Sequence, residues 1–145
     1  MILNILLTNK CNKKCSYCGF SYQKGINVLD EKFILDYTKE NIVQLSNLTQ
    51  LTIVGGEPGL LSLNFWLIFL KILNEDFKNQ NRRLLVNICS NGEIFKILDK
   101  ISILDYPFLE ILVNFHINES ESIPQKNWPN IRYVFVITKE NLIVS

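Results

Sequence analysis

Short apolar segments alternate with helical patterns along the whole chain, and this alternation limits the possible fold more than any other feature. Five segments are rich in strand-forming residues and predict β-strands: Ile2–Leu7, Leu51–Val54, Leu84–Cys89, Leu109–Ile117 and Ile131–Ile137. The segments are apolar on both faces, which is typical of parallel strands covered by helices. The sequence therefore predicts an α/β fold.

Helical patterns lie between the predicted strands. Asp30 is a plausible N-cap for a first helix that continues to Val43. A second helix is predicted over Phe65–Phe77, where apolar residues recur every three or four positions. A third is predicted from about Glu93 to Ile103. Residues 118–130 contain two prolines and leave room for a turn or a short helix, but not a full one.

The length of the chain limits how far such a sheet can extend. A closed eight-unit barrel takes about 250 residues, or roughly 30 for each strand and helix. A chain of 145 residues holds four to five such units. We therefore predict one domain over residues 1–145: a partial (βα) barrel, with an open, curved, mainly parallel sheet of about five strands and helices on its outer face.

Composition and charge exclude several classes of protein. Fifteen basic residues balance fourteen acidic ones, so the net charge is +1 and no nucleic-acid-binding surface is indicated. The N-terminus lacks the pattern of a secretory signal. The longest apolar run, Leu60–Leu73, contains Asn64 and Lys71 and is too short to span a bilayer. We expect a cytoplasmic protein that makes no contact with a membrane.

Three cysteines follow the first predicted strand at spacings of four and three residues: Cys11, Cys15 and Cys18. They would lie beyond the carboxyl end of that strand, where parallel α/β proteins carry their chemistry. Thiolates suit zinc, copper(I) or iron–sulfur clusters. A four-iron cluster held by three cysteines would keep one iron open for a ligand. The alternative is a closed zinc site completed by Cys89 or His116, although Cys89 is more simply a buried core thiol.

A glycine-rich turn follows the second predicted strand. Gly55 and Gly56 let the backbone turn sharply and let a ligand approach closely. Glu57 would place a carboxylate at the same sheet edge as the cysteines, and Pro58 would fix the turn. The carboxylate could accept hydrogen bonds from an ammonium group. The alternative is an ordinary strand-to-helix turn with an exposed glutamate.

The cysteine motif, with Tyr17 before its last cysteine, and the later Gly55–Pro58 motif resemble the radical S-adenosylmethionine (radical SAM) superfamily. The resemblance covers nearly the whole chain. It implies a [4Fe–4S] cluster whose unique iron binds the amino and carboxylate groups of S-adenosylmethionine. Reductive cleavage of that molecule gives a 5′-deoxyadenosyl radical, which abstracts hydrogen from a substrate.

The resemblance also implies a role for individual residues. Cys11, Cys15 and Cys18 match the cluster ligands. Tyr17 matches the aromatic residue near the adenine, and Gly55, Gly56 and Glu57 match the turn that receives the methionyl ammonium. The remaining matches are residues of the third and fourth strand ends that would bind the cofactor: Ser90, Asn91, Asn114 and His116.

The substrate and partners are also expectations from the resemblance. A peptide or protein substrate and an electron donor such as flavodoxin or ferredoxin are expected. The family core has six strand–helix units and this chain has about five, which implies a truncated core, a dimer or a completing subunit. Two other functions stay open: an activase for a glycyl-radical enzyme, and a non-catalytic metal-binding module or subunit of a split enzyme.

Overall fold

Five parallel strands form a single sheet in the computed structural model, which describes residues 1–15, 18, 30–117 and 131–135, the last five and residues 116–117 by backbone alone. The strands are β1 (Ile2–Leu6), β2 (Gln50–Val54), β3 (Leu84–Ser90), β4 (Leu109–Ile117) and β5 (Ile131–Phe135). They lie in sequential order, and every neighbouring pair is parallel. The predicted α/β fold is confirmed.

In the described part of the chain, helices lie between successive strands from β1 to β4 and cover one face of the sheet. They are α1 (Glu31–Tyr37), continued by a π-helical turn at Thr38–Ile42, then α2 (Leu63–Asn79) and α3 (Ile94–Leu98). Short 3₁₀ turns lie at Pro58–Leu60 and Ile103–Asp105. Because parallel crossovers are right-handed and the strand order never reverses, the connecting helices fall on the same side. This arrangement is consistent with an open part of a (βα) barrel.

The α2 helix supplies much of the core. Ser62 caps it, since its hydroxyl accepts a hydrogen bond of 3.0 Å from the backbone N–H of Phe65. The buried stripe is the one that the sequence predicts: Phe65, Trp66, Phe69, Leu70, Leu73 and Phe77. The indole of Trp66 also donates to the carbonyl of Pro58 at 3.1 Å, which fixes the turn after β2 against this helix.

The third helix is shorter than the sequence predicts. It ends at Leu98 rather than near Ile103. The backbone then tightens into a 3₁₀-type turn, because the N–H of Ile101 donates to the carbonyl of Leu98 at 3.1 Å. In an α-helix this N–H would bond to the carbonyl four residues back. This tightening brings Ile101 and Tyr106 into the core, where each is less than a tenth exposed.

The two faces of the sheet differ in character. Side chains alternate between faces along each strand, so Val86 and Ile88 of β3 point into the core between sheet and helices. The opposite face, here called the open face, carries Asn4, Thr52, Asn87, Cys89 and Asn114. In the described residues, no helix has the length and apolar character needed to cross a membrane.

Candidate functional site

The cysteine loop begins at the carboxyl end of β1. Cys11 is exposed, and Cys15 and Cys18 are partly buried. The backbone N–H of Cys18 donates to the carbonyl of Cys15 at 3.1 Å, which keeps the backbones of the last two cysteines close together. Across the described ranges, no three His, Cys, Asp or Glu side chains converge closely enough to hold a metal ion. The three thiols thus lie at the carboxyl edge of the sheet, as predicted, but their sulfur atoms do not converge on one point.

The glycine turn after β2 packs directly on the cysteine loop. The N–H groups of Gly56 and Glu57 donate to the carbonyls of Thr8 and Lys10, both at 2.7 Å. A Cβ atom on Gly56 would lie 2.2 Å from the Lys10 carbonyl oxygen, so no other residue fits there. Gly55 has a φ of +114°, which L-residues rarely adopt. Two glycines are therefore needed for the two backbones to touch.

The Glu57 side chain joins this turn to the one after β3. Glu57 as a whole residue is 1% exposed. One oxygen accepts hydrogen bonds from the Gly59 N–H and the Ser90 hydroxyl, both at 2.8 Å, and the other accepts from the Asn91 N–H at 2.6 Å. Burial raises the pKa of Glu57, and these three hydrogen bonds partly oppose the rise.

These contacts change how Glu57 can act on a ligand. A carboxylate has about four acceptor positions, and protein donors occupy three of them. Glu57 is therefore mainly a link between two turns, while the backbone of the glycine turn stays beside the cysteine loop. The sequence does not reveal this, because the link depends on how β2 and β3 end next to each other.

Asn91 connects the turn after β3 back to the cysteine loop. Its side-chain amide nitrogen donates to Asn12 Oδ1 at 2.9 Å and approaches Cys11 Sγ at 3.6 Å. The ammonium of Lys13 donates to the Asn91 carbonyl at 3.4 Å. The turns after β1, β2 and β3 thus form one hydrogen-bonded unit, and Asn91 Oδ1 is buried with no hydrogen-bond partner among the described residues.

A second polar group lies on the open face of the sheet. The amide nitrogen of Asn114 donates to Asn87 Oδ1 at 2.8 Å and contacts Cys89 Sγ at 3.8 Å. Asn114 Oδ1 is buried and unpaired within the described part of the chain. Cys89 is only partly buried on this face, so the prediction of a core thiol is wrong. Sequence reasoning missed Asn87. The signal that could have found it is that a single amide side chain stands among the apolar residues of β3.

Two predicted site residues have side chains outside the described part of the chain. Tyr17 lies outside the described residues, and His116 is described only by its backbone near the end of β4. Pro58 begins the 3₁₀ turn after Glu57, as a turn-fixing residue should.

The donor set fits a soft metal and a ligand rich in hydrogen-bond donors. Three thiols suit iron or zinc, and two buried amide oxygens have no partner in the described residues, although buried polar atoms normally find one. A ligand that carries an ammonium group or hydroxyls would supply those partners. Fold and site define a parallel α/β protein with three free thiols in the loop after β1, at the carboxyl edge of its sheet.

Comparison with known families agrees with this class. The model of the radical SAM superfamily matches residues 5–121, which is most of the chain. The protein belongs to the radical SAM superfamily, whose members are enzymes that use a [4Fe–4S] cluster and S-adenosylmethionine. No curated protein and no solved structure matches the chain significantly.

Proposed function

We propose that Cys11, Cys15 and Cys18 bind the [4Fe–4S] cluster and that the turns after β2 and β3 bind S-adenosylmethionine. When bound, the cluster supplies the electron that cleaves S-adenosylmethionine to the 5′-deoxyadenosyl radical, which abstracts hydrogen from the substrate. The observation that carries the proposal is the direct hydrogen bonding between the cysteine loop and both other turns. A ligand bound to one of these turns lies beside the others.

The chain's own groups would orient the nucleotide. The backbone of Gly55 and Gly56 receives the methionyl ammonium, because the absence of side chains leaves its carbonyls accessible. Asn114 is held by Asn87 so that its unpaired Oδ1 can accept a hydrogen bond from a ribose hydroxyl. Tyr17 against the adenine and His116 beside the cofactor complete the proposed site.

The proposed substrate is a peptide or protein segment. The open face carries an exposed amide at Asn4 that can hydrogen-bond to a peptide backbone. The proposed electron donor is a flavodoxin or ferredoxin of the cytoplasm. Lys10 and Lys14 are exposed on the cysteine loop and would attract the acidic surface of such a partner.

Anaerobic reconstitution with iron and sulfide tests the proposed cofactors. We expect a four-iron cluster by iron analysis and electron paramagnetic resonance, and 5′-deoxyadenosine after addition of dithionite and S-adenosylmethionine. Cys15→Ala should lose both. Cys89→Ala should keep the cluster, because this thiol is not among the proposed ligands.

Two results would contradict the proposal. One is a protein that binds stoichiometric zinc and no iron. The other is loss of the metal from Cys89→Ala, which would select the closed four-ligand site instead. Either result would leave the fold assignment intact, since the fold does not depend on the metal.

A further inference from the structure

Asn91 contacts the cysteine loop through its side chain as well as through its backbone. The side-chain amide nitrogen lies 3.6 Å from Cys11 Sγ, an ordinary hydrogen-bond distance for the large sulfur atom. Asn12 Oδ1 accepts from the same nitrogen at 2.9 Å. The amide is therefore oriented from two sides, with its N–H groups toward the loop and its oxygen away from it.

The backbone of Asn91 is held just as firmly. Its N–H donates to the buried Glu57 carboxylate at 2.6 Å, and its carbonyl accepts from the Lys13 ammonium at 3.4 Å. These contacts come from the turn after β2 and from the cysteine loop, so the position of the amide does not depend on the turn after β3 alone. A substitution that keeps the backbone should keep them.

We propose that Asn91 is a positioning residue for the cluster ligand Cys11 and raises the reduction potential of the cluster; this inference rests on the proposed function. Reduction adds negative charge to the cluster and its sulfurs. An N–H group aimed at a ligand sulfur stabilises that charge, and hydrogen bonds to sulfur are among the factors that set cluster potentials. The nearby Lys13 ammonium acts in the same direction.

The amide of Asn91 also links the proposed cluster site to the proposed S-adenosylmethionine site. Its nitrogen faces the cluster ligand, and its oxygen is buried without a partner in the described residues. A donor group on bound S-adenosylmethionine would satisfy that oxygen and polarise the amide, which strengthens the N–H donation to Cys11. Binding of the nucleotide and reduction of the cluster are therefore coupled through one side chain.

The test is a redox titration of reconstituted protein, followed by electron paramagnetic resonance, with and without S-adenosylmethionine. Asn91→Ala removes the donor, and Asn91→Asp replaces it with a negative oxygen of nearly the same shape. We expect Asn91→Ala to disfavour reduction about tenfold, which is about 59 mV for a one-electron couple. Asn91→Asp should lower the potential further, and Asn91→Gln should recover part of it.

Asn41→Ala is the matched control, because it makes the same chemical change at an exposed position after α1. Its potential should equal that of the unmodified protein. If Asn91→Ala and Asn91→Asp fold but lose iron while Asn91→Gln keeps it, the amide is needed to hold Cys11, which supports the proposal. If all three lose iron while folded, the turn and not the amide is responsible, and the proposal is wrong.

Equal potentials in the unmodified protein, Asn91→Ala and Asn91→Asp, each with a full cluster, would also overturn the inference. That result would leave the proposed function standing, because the cluster would still form. Failure of the unmodified protein to take up a four-iron cluster would instead remove the proposed function itself.

Discussion

Glu57 makes the stability of the site depend on pH. Burial raises its pKa above the ordinary 4.5, so the folded protein favours the protonated carboxyl. Glu57 therefore contributes most to stability below pH 4.5, and this contribution falls as the pH rises through the folded-state pKa. Glu57→Gln does not titrate and should show no such fall. The difference in unfolding free energy between the two proteins, measured by urea titration across that pH range, should shrink as pH rises.

The same substitution should also cost stability at every pH. A glutamine has one acceptor oxygen and turns an amide donor toward a group that donates, so one N–H or hydroxyl at the turn loses its partner. We expect a loss of about 1–3 kcal/mol. Glu75→Gln, on the exposed side of α2, is the control and should change little. A pH-independent difference between Glu57→Gln and the unmodified protein would show that the folded protein does not raise the pKa of this carboxyl.

Individual site residues could be predicted only in part from the sequence. The cysteines and glycines belong to short local motifs, so their spacing carries the information. The spacing does not show which residue each of them contacts, because contacting residues such as Asn91 and Cys11 are 80 positions apart. Asn87 was missed for the same reason: its contact with Asn114 spans 27 positions and needs the register of β3 against β4.

At the scale of single elements, the start of α2 depends on one hydroxyl. Ser62 Oγ caps the helix and also donates to Glu31 Oε2 at 2.7 Å, so it ties the beginning of α2 to α1. Ser62→Ala should lower the unfolding free energy by about 1 kcal/mol. Chemical denaturation followed by far-ultraviolet circular dichroism measures this loss.

Ser102→Ala is the matched control for the cap. Ser102 precedes a 3₁₀ turn and makes no capping hydrogen bond through its side chain. A loss for Ser102→Ala as large as that for Ser62→Ala would contradict the role assigned to the Ser62 hydroxyl.

Elements with a strong periodic pattern were predictable, and those decided by packing were not. Asp30 and the apolar stripe of α2 mark their helices in the sequence alone. The α3 segment has helix-forming residues beyond Leu98, but the chain leaves the helix there because Ile101 and Tyr106 must reach the core. Tertiary packing overrides local preference at that point.

At the scale of the whole molecule, the centre of the sheet should dominate stability. Ile88 in β3 is fully buried between neighbours on both sides, whereas Ile2 in the edge strand β1 is 62% exposed. Ile88→Ala should cost about 2–5 kcal/mol, because it leaves a cavity. Ile2→Ala should change stability by no more than about 0.5 kcal/mol. Thermal and urea unfolding compare the two variants, and similar losses would contradict this picture.

The parallel direction of the strands followed from general rules. Alternating strand and helix patterns predict parallel pairing, and right-handed crossovers place the helices together. The sequence does not show which turns touch at the carboxyl edge, because those contacts require side chains from three different connections to meet.

The 80-residue interval between Cys11 and Asn91 has a consequence for how the protein is made. On the ribosome, the three cysteines are synthesised well before Asn91, whose side chain contacts their loop in the folded protein. The nascent chain therefore carries three thiols without this contact. A metal ion that binds the thiols at that stage binds an unfolded segment and not the folded cysteine loop. The proposed cluster site is thereby complete only after β3 and the turn after it have folded against the cysteine loop.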